Sequence, residues 1–150
     1  MQISFPQYQF KLRSNEGQRQ LYDIFRKRWI AINPEEWVRQ HLLWHFVEAG
    51  YPKNRIAVER KVEFGGQSLR FDAVIYDDSV QPWMIVECKA PGIKLDDSVL
   101  QQALRYNNEI KAPFICLCNG EEIILIEHDK GNSWAQIKKL PDWPAASETE

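Results

Sequence analysis

The order of apolar segments in this 150-residue chain predicts an α/β domain with a mixed central β-sheet flanked by helices. Three observations carry that expectation. One segment has both a helix-start and a helix-stop signal. Several short alternating or β-branched runs lie between turn signals. A second helical segment falls between two of those runs rather than after them.

Residues 1–19 are polar and weakly periodic. "QLYDIFRKRWIAI", residues 20–32, is rich in aromatic and β-branched residues and is expected as one strand. "NPEEWVRQHLLWHFVEAG" is the clearest helix. Asn33 can cap it, Pro34 suits its first position, Glu36 completes an Asn-x-x-Glu pattern, and Gly50 stops it. "RIAVERKVEF" alternates as a half-buried strand, and Gly65-Gly66 turns it back into "SLRFDAVIY". "DDSVQ" then leads to "PWMIVECKA", which Pro91-Gly92 breaks. A second helix is expected from Asp96 or Asp97 to about Asn107. "PFICLC", Asn119-Gly120 and "EIILIEH" read as a hairpin. From about Lys130 the chain is expected to be loop-like, with "AASETE" fraying. The organisation expected is one domain over 1–150, with a polar extension at 1–19, a core at 20–128 and a tail at 129–150.

With 44% hydrophobic and 27% charged residues, a wholly disordered chain is excluded. No apolar run reaches membrane-span length and the start lacks a signal-peptide layout, so a cytoplasmic protein is expected. Cys88, Cys116 and Cys118 all lie in apolar strand-like runs, which suits buried reduced thiols better than disulfides or zinc ligation. The net charge of −2 is unevenly spread: residues 1–33 carry +4 and residues 120–150 carry −4. The basic end could touch phosphates. His41 and His45 share i, i+4 spacing, but Leu42 stands where a zinc protease needs glutamate. They are expected at the helix surface or the edge of the core.

The functional signal is a set of charges inside strands. Antiparallel pairing around the middle of "DDSVQ" sets Asp72 opposite Glu87, with Cβ atoms roughly 4.5–5.5 Å apart. Strand alternation puts Lys89 on the Glu87 face. Two close carboxylates repel, and the lysine offsets only one. A divalent cation resolves the conflict, and oxygen donors suit Mg²⁺. Such a site can neutralise a phosphodiester and activate water, with the lysine orienting that water. The competing explanation from spacing is a cross-strand salt bridge at the sheet edge.

Asp72, a fourteen-residue spacer and then Glu87-Cys88-Lys89 resemble the core of the PD-(D/E)xK nuclease superfamily. "NPEEWVRQHLL", "VERKVEF", "LRFDAVIY", "VECKAPG", "LQQALRYN" and "LCNG", in this order, resemble the N-terminal nuclease domain of type I restriction enzyme R subunits over about residues 20–128. Gln102-x-x-x-Tyr106 resembles the RecB-type branch. The resemblance implies a restriction-endonuclease-like fold, metal-binding carboxylates at Asp72 and Glu87, and a catalytic lysine at Lys89. It further implies Glu36 as an added metal ligand, with Gln102 and Tyr106 as supporting or DNA-contacting residues. Phe71 stands where the superfamily has its eponymous proline. No ATP-binding Gly-x-x-x-x-Gly-Lys-Ser/Thr loop is present, so a stand-alone relative is expected. The function expected is a Mg²⁺-dependent DNA nuclease, with Mn²⁺ as a substitute ion and endonucleolytic action on DNA. It would act alone, as a homodimer, or in a larger restriction or repair complex. The alternative is a catalytically weak or silent module that binds nucleic acid or a partner.

Overall fold

The computed structural model describes residues 3, 6–129, 131 and 133–145, with the side chain of Phe64 left out. Two antiparallel or mixed sheets organise the chain. The first contains β1 (Leu12–Asn15), β2 (Gln18–Asp23) and β3 (Arg28–Ala31) in that order. The second contains six strands in sequence order: β4 (Ile56–Phe64), β5 (Gln67–Tyr76), β6 (Pro82–Cys88), β7 (Phe114–Cys118), β8 (Ile123–His128) and β9 (Trp134–Ile137). Every neighbouring pair is antiparallel except β6 and β7, which are parallel. A parallel pair needs a long crossover, and α2 (Asp97–Ile110) supplies it. This is the mixed α/β core expected of a restriction-endonuclease-like fold.

Helix α1 (Pro34–Glu48) begins as its sequence indicates. Asn33 accepts the Glu36 backbone N–H at 2.7 Å, and proline opens the first turn. Its Val38, Leu42, Leu43 and Phe46 are fully buried against one sheet face with Ala73, Ile75, Met84, Val86, Cys116 and Cys118. Helix α2, capped by Asp96, covers the other face. There Ala103 meets Val74, Ile85, Ile115 and Leu117, with Leu100, Leu104 and Ile110 packed around them. Each helix therefore closes one half of the core by burying apolar area.

Three expectations about elements change. Residues 20–32 form two strands, not one, because buried Asp23 builds a turn. It accepts the Phe25 N–H at 2.8 Å and binds Arg26, and Lys27 turns the chain at φ +55°. β1 and the start of β2 therefore lie in the segment read as a polar extension. Residues 134–137, read as loop, are β9, after a turn in which Asp129 accepts the N–H groups of Gly131 and Ser133. Helix α2 runs three residues beyond Asn107, to Ile110, where the Asn107 side chain bonds both the N–H and the C=O of Ala112. The fraying expected of "AASETE" falls outside the described residues except at Ala145. Among the described residues no helix is long and apolar enough to cross a membrane.

His41 is not at a surface: it is fully buried, with Nδ1 2.9 Å from the Trp37 carbonyl and its ring against Phe10 and Trp37. Burial lowers its pKa, so the neutral ring is the packed form. The three cysteines are buried and free.

The β7–β8 turn depends on Gly120. Its φ is +87°, and a Cβ there would lie 2.9 Å from Ile3 Cδ1 and 3.0 Å from Val38 Cγ2. Gly120→Ala is expected to cost about 2–3 kcal/mol, through left-handed strain and overpacking together. Urea unfolding of the two proteins checks it, and a cost near zero would mean that the turn relaxes freely.

Candidate active site

The β5–β6 hairpin has the register that its sequence implies. Ala73 pairs with Val86, Val74 with Ile85 and Ile75 with Met84; the ladder ends at Ala73–Val86, and beyond it Asp72 and Glu87 both face the cleft. Asp72 Oδ2 accepts the Cys88 N–H at 2.7 Å. The Lys89 N–H donates to the Cys118 carbonyl at 2.8 Å, which extends β6 onto β7. Asp72, Glu87 and Lys89 line one cleft of about 380 Å³ together with Asn33, Glu35, Arg39, Glu59, Arg70 and Phe71.

The backbone is irregular where Asp72 sits. Phe71 and Ala73 are two residues apart and should share a face. Yet Phe71 packs on the α2 side and Ala73 on the α1 side. The facing strand β4 shows why. Val58 pairs with Ala73 and Arg60 with Phe71, while Glu59 between them has φ +52°. A non-glycine residue in that region costs roughly 1–2 kcal/mol. The Glu59 carboxylate offsets the strain with three guanidinium groups: Arg70 at 3.0 Å, Arg26 at 3.3 Å and Arg39 at 3.6 Å. The kink presents Asp72, on an interior strand, to the cleft and to Arg39 of α1.

Arg39 is the hub of this network. It forks onto Glu36 (Nε to Oε2 2.9 Å, Nη2 to Oε1 2.7 Å), and its Nη1 donates to Asp72 Oδ1 at 3.1 Å. Arg26 adds a second donor to Glu36 at 2.6 Å. Burial alone would lower the Arg39 pKa, but the hydrogen bonds and charge of Glu36, then Asp72, raise it above its ordinary value. Burial would raise the Glu36 pKa, yet Arg39 and Arg26 hold it below the usual range.

The six residues marked out in the sequence therefore divide. Asp72, Glu87 and Lys89 share the cleft. Gln102 and Tyr106 approach Glu87 and Lys89 from α2, lining with them a crevice of about 20 Å³, and the Gln102 amide lies 3.3 Å from the Tyr106 hydroxyl. The Glu36 carboxylate faces its two arginines instead, and the neighbouring Glu35 lines the cleft. Burial and then the charge of Asp72 raise the Glu35 pKa. Arg26, Arg39, Glu59 and Glu35 were not marked out. A partial signal existed for Glu35 and Arg39, whose i, i+4 spacing sets them on one helix face.

Chemically the cleft is over-supplied with negative charge. Six carboxylates (Asp23, Glu35, Glu36, Glu59, Asp72, Glu87) adjoin four cations (Arg26, Arg39, Arg70, Lys89), an excess of two negative charges when all are ionised. Glu87 Oε1 is buried without a hydrogen-bond partner, and burial, then the Asp72 charge, push the Glu87 pKa up to about 8. An unpartnered carboxylate oxygen beside a second carboxylate is a donor set that suits a hard divalent cation. Among the described residues no three His, Cys, Asp or Glu side chains converge closely enough to hold a metal by themselves. A cation held by Asp72 and Glu87 would take its other ligands from backbone oxygen, water or phosphate, which is ordinary for Mg²⁺.

A family model described as type I restriction enzyme R protein N terminus matches residues 34–144. The chain belongs to this family. The matched span runs from the first residue of α1 past β9, so it contains the whole cleft except Asn33 and leaves β1–β3 outside. No curated protein matches the chain. As a member of this family the chain has a nuclease-like domain, and the charged hairpin lies at its centre.

If Gln102 and Tyr106 serve the cleft, Gln102→Ala and Tyr106→Phe should lower DNA affinity or turnover about tenfold while divalent-ion binding by the free protein stays nearly constant. Calorimetric Mn²⁺ titration and DNA binding on the same variants decide it. Lower stability with full activity per folded molecule would mark the pair as structural only.

Proposed function

We propose that this domain is a Mg²⁺-dependent DNA nuclease, acting as an endonuclease, in which Asp72 and Glu87 bind the ion and Lys89 is catalytic. The observation that carries the reading is the convergence of Asp72, Glu87 and Lys89 in one cleft, with a buried Glu87 oxygen that has no hydrogen-bond partner. Mn²⁺ is the expected substitute. Glu35, from its position, is a better third carboxylate than Glu36.

Bound Mg²⁺ would supply charge neutralisation at the scissile phosphate and a more acidic water. The residues of the chain do the rest. The Cys88 N–H and Arg39 hold Asp72 in one orientation, so that no rotamer search accompanies binding. Hydrolysis forms a new P–O bond from water as the bond to the leaving oxygen breaks. The Lys89 ammonium lines the cleft where it can orient that water and offset the charge that develops on the phosphoryl oxygens. Arg70, at the cleft rim, can hold a non-bridging oxygen. DNA is the proposed substrate, a restriction complex the proposed setting, and three buried free thiols suit a cytoplasmic location.

The second reading, a catalytically silent binding module, is favoured by one observation: Arg39 already neutralises part of Asp72. Incubating the purified chain with duplex, single-stranded and branched DNA, with and without Mg²⁺ or Mn²⁺, separates the two. The nuclease reading expects cleavage only with the ion, a fall of ~10²-fold or more in Lys89→Ala with ion binding retained, and loss of ion binding in Asp72→Ala. Ion binding without cleavage of any DNA would leave the silent module standing.

A further inference from the structure

The cleft is acidic and the chain as a whole carries −2, so neither draws a polyanion toward the site. We infer that the three-stranded sheet β1–β3, outside the span of the family match, is the docking platform for the DNA backbone. It deepens the nuclease reading and rests on it for the identity of the ligand.

The charge of the sheet is the first argument. Lys11, Arg13, Arg19, Lys27 and Arg28 are exposed on it, against Glu16 alone. Its other ion pair, Asp23 with Arg26, is turned inward. A local net charge of +4 stands on a chain that is otherwise acidic. The outer face is the second argument. Leu21 and Ile30 pair on the buried side, so Arg13, Gln20, Tyr22 and Trp29 lie on the outer one, with Lys11 opposite Tyr22, while Arg19 and Arg28 alternate with Leu21 and Ile30 and leave the sheet on the other side. The Arg13 guanidinium sits 4.3 Å from the centre of the Trp29 ring and donates to Gln20 at 2.7 Å. The aromatic ring and the amide hold this cation in place on a flat face, so less side-chain entropy is lost when it meets a phosphate. Position is the third argument. The β2–β3 turn carries Arg26 into Glu36 and Glu59, beside the cleft. Lys27, the next residue, is exposed and lies one residue from this link to the cleft. The exposed cations meet phosphate, and such contacts carry no sequence preference.

The test is fluorescence anisotropy of the full chain with a short labelled duplex and the matching single strand, in EDTA, over a salt series. The triple variant Lys11→Gln/Arg13→Gln/Lys27→Gln should bind duplex at least ~10-fold more weakly. Its log–log salt slope should be shallower by roughly two to three, close to 0.9 per lost phosphate contact. Lys53→Gln/Lys138→Gln/Lys139→Gln, which removes the same charge elsewhere, should bind like the parent. Single Arg13→Gln and Lys27→Gln variants give the answer if the triple variant folds poorly. Equal loss in both triple variants, or none in either, would overturn the platform while leaving cleavage with Mg²⁺ free to support the nuclease. Platform-dependent binding without cleavage would do the opposite, keeping the platform and removing the nuclease. A parent chain that binds no DNA in EDTA would overturn the platform outright, and its cleavage assay would then judge the nuclease separately.

Discussion

Arg39→Ala is expected to destabilise the protein by about 3–5 kcal/mol, the range found when one partner of a buried ion pair is removed. The side chain is 8% exposed and forks onto a Glu36 carboxylate that is 6% exposed, so water cannot replace it. Arg26 would remain on Glu36, but Asp72 would lose its guanidinium and Glu59 one of three. For a chain of this size the loss corresponds to a fall in Tm on the order of 10 °C. Arg39→Lys should recover only part of it, because an ammonium cannot reproduce the planar fork that meets both Glu36 oxygens. Thermal and urea unfolding of the three proteins provide the measurement. A loss below about 1 kcal/mol would show that the network behaves as a surface salt bridge and that Asp72 is positioned by its backbone alone.

That network also marks the limit of what could be read from the chain. Local signals carried most of the fold. Asn33-Pro34 starts α1, Asp96 caps α2, and "DDSVQ" gives the hairpin in which Ala73 meets Val86. The parallel β6–β7 pair follows from a helix placed between two strands. Signals that depend on distant partners were silent. Arg39 reaches Asp72 across 33 residues, and nothing around either residue announces the other. Glu59 looks like an ordinary outward strand residue, yet its φ of +52° sets the kink that presents Asp72. Asp23 sits in a run of aromatic and β-branched residues whose strand propensity hides the turn that its carboxylate makes. The choice between Glu35 and Glu36 is one of rotation. Adjacent helix residues differ by about 100°, and only the packed helix shows which of them turns to the cleft and which to the arginines.

Glu87→Gln is expected to leave stability nearly unchanged at pH 5 and to raise it at pH 9. In the native state Glu87 keeps its proton up to about pH 8, through burial first and the neighbouring Asp72 charge second. An unfolded glutamate releases its proton near 4.5. Native protein therefore binds more protons than unfolded protein between these values, and the stability due to protonated Glu87, complete below about 4.5, is lost as pH rises through about 8. The neutral amide of glutamine cannot ionise, so the variant escapes that loss. Each pKa unit corresponds to about 1.4 kcal/mol, which makes the difference at high pH on the order of several kcal/mol. Divalent ions should act on the parent in the opposite sense. Mg²⁺ or Mn²⁺ binds the ionised pair, so it should stabilise the parent most at high pH, by ~2.7 kcal/mol at a hundredfold excess over Kd, and stabilise Glu87→Gln much less. Urea unfolding at pH 5 and 9, with EDTA or Mn²⁺, reads both effects at once. Parallel stability curves for the two proteins across pH would mean that Glu87 is hydrated and ionises normally. The unpartnered oxygen would then lose its standing as a cation ligand, and Asp72 with Glu35 would become the pair to test.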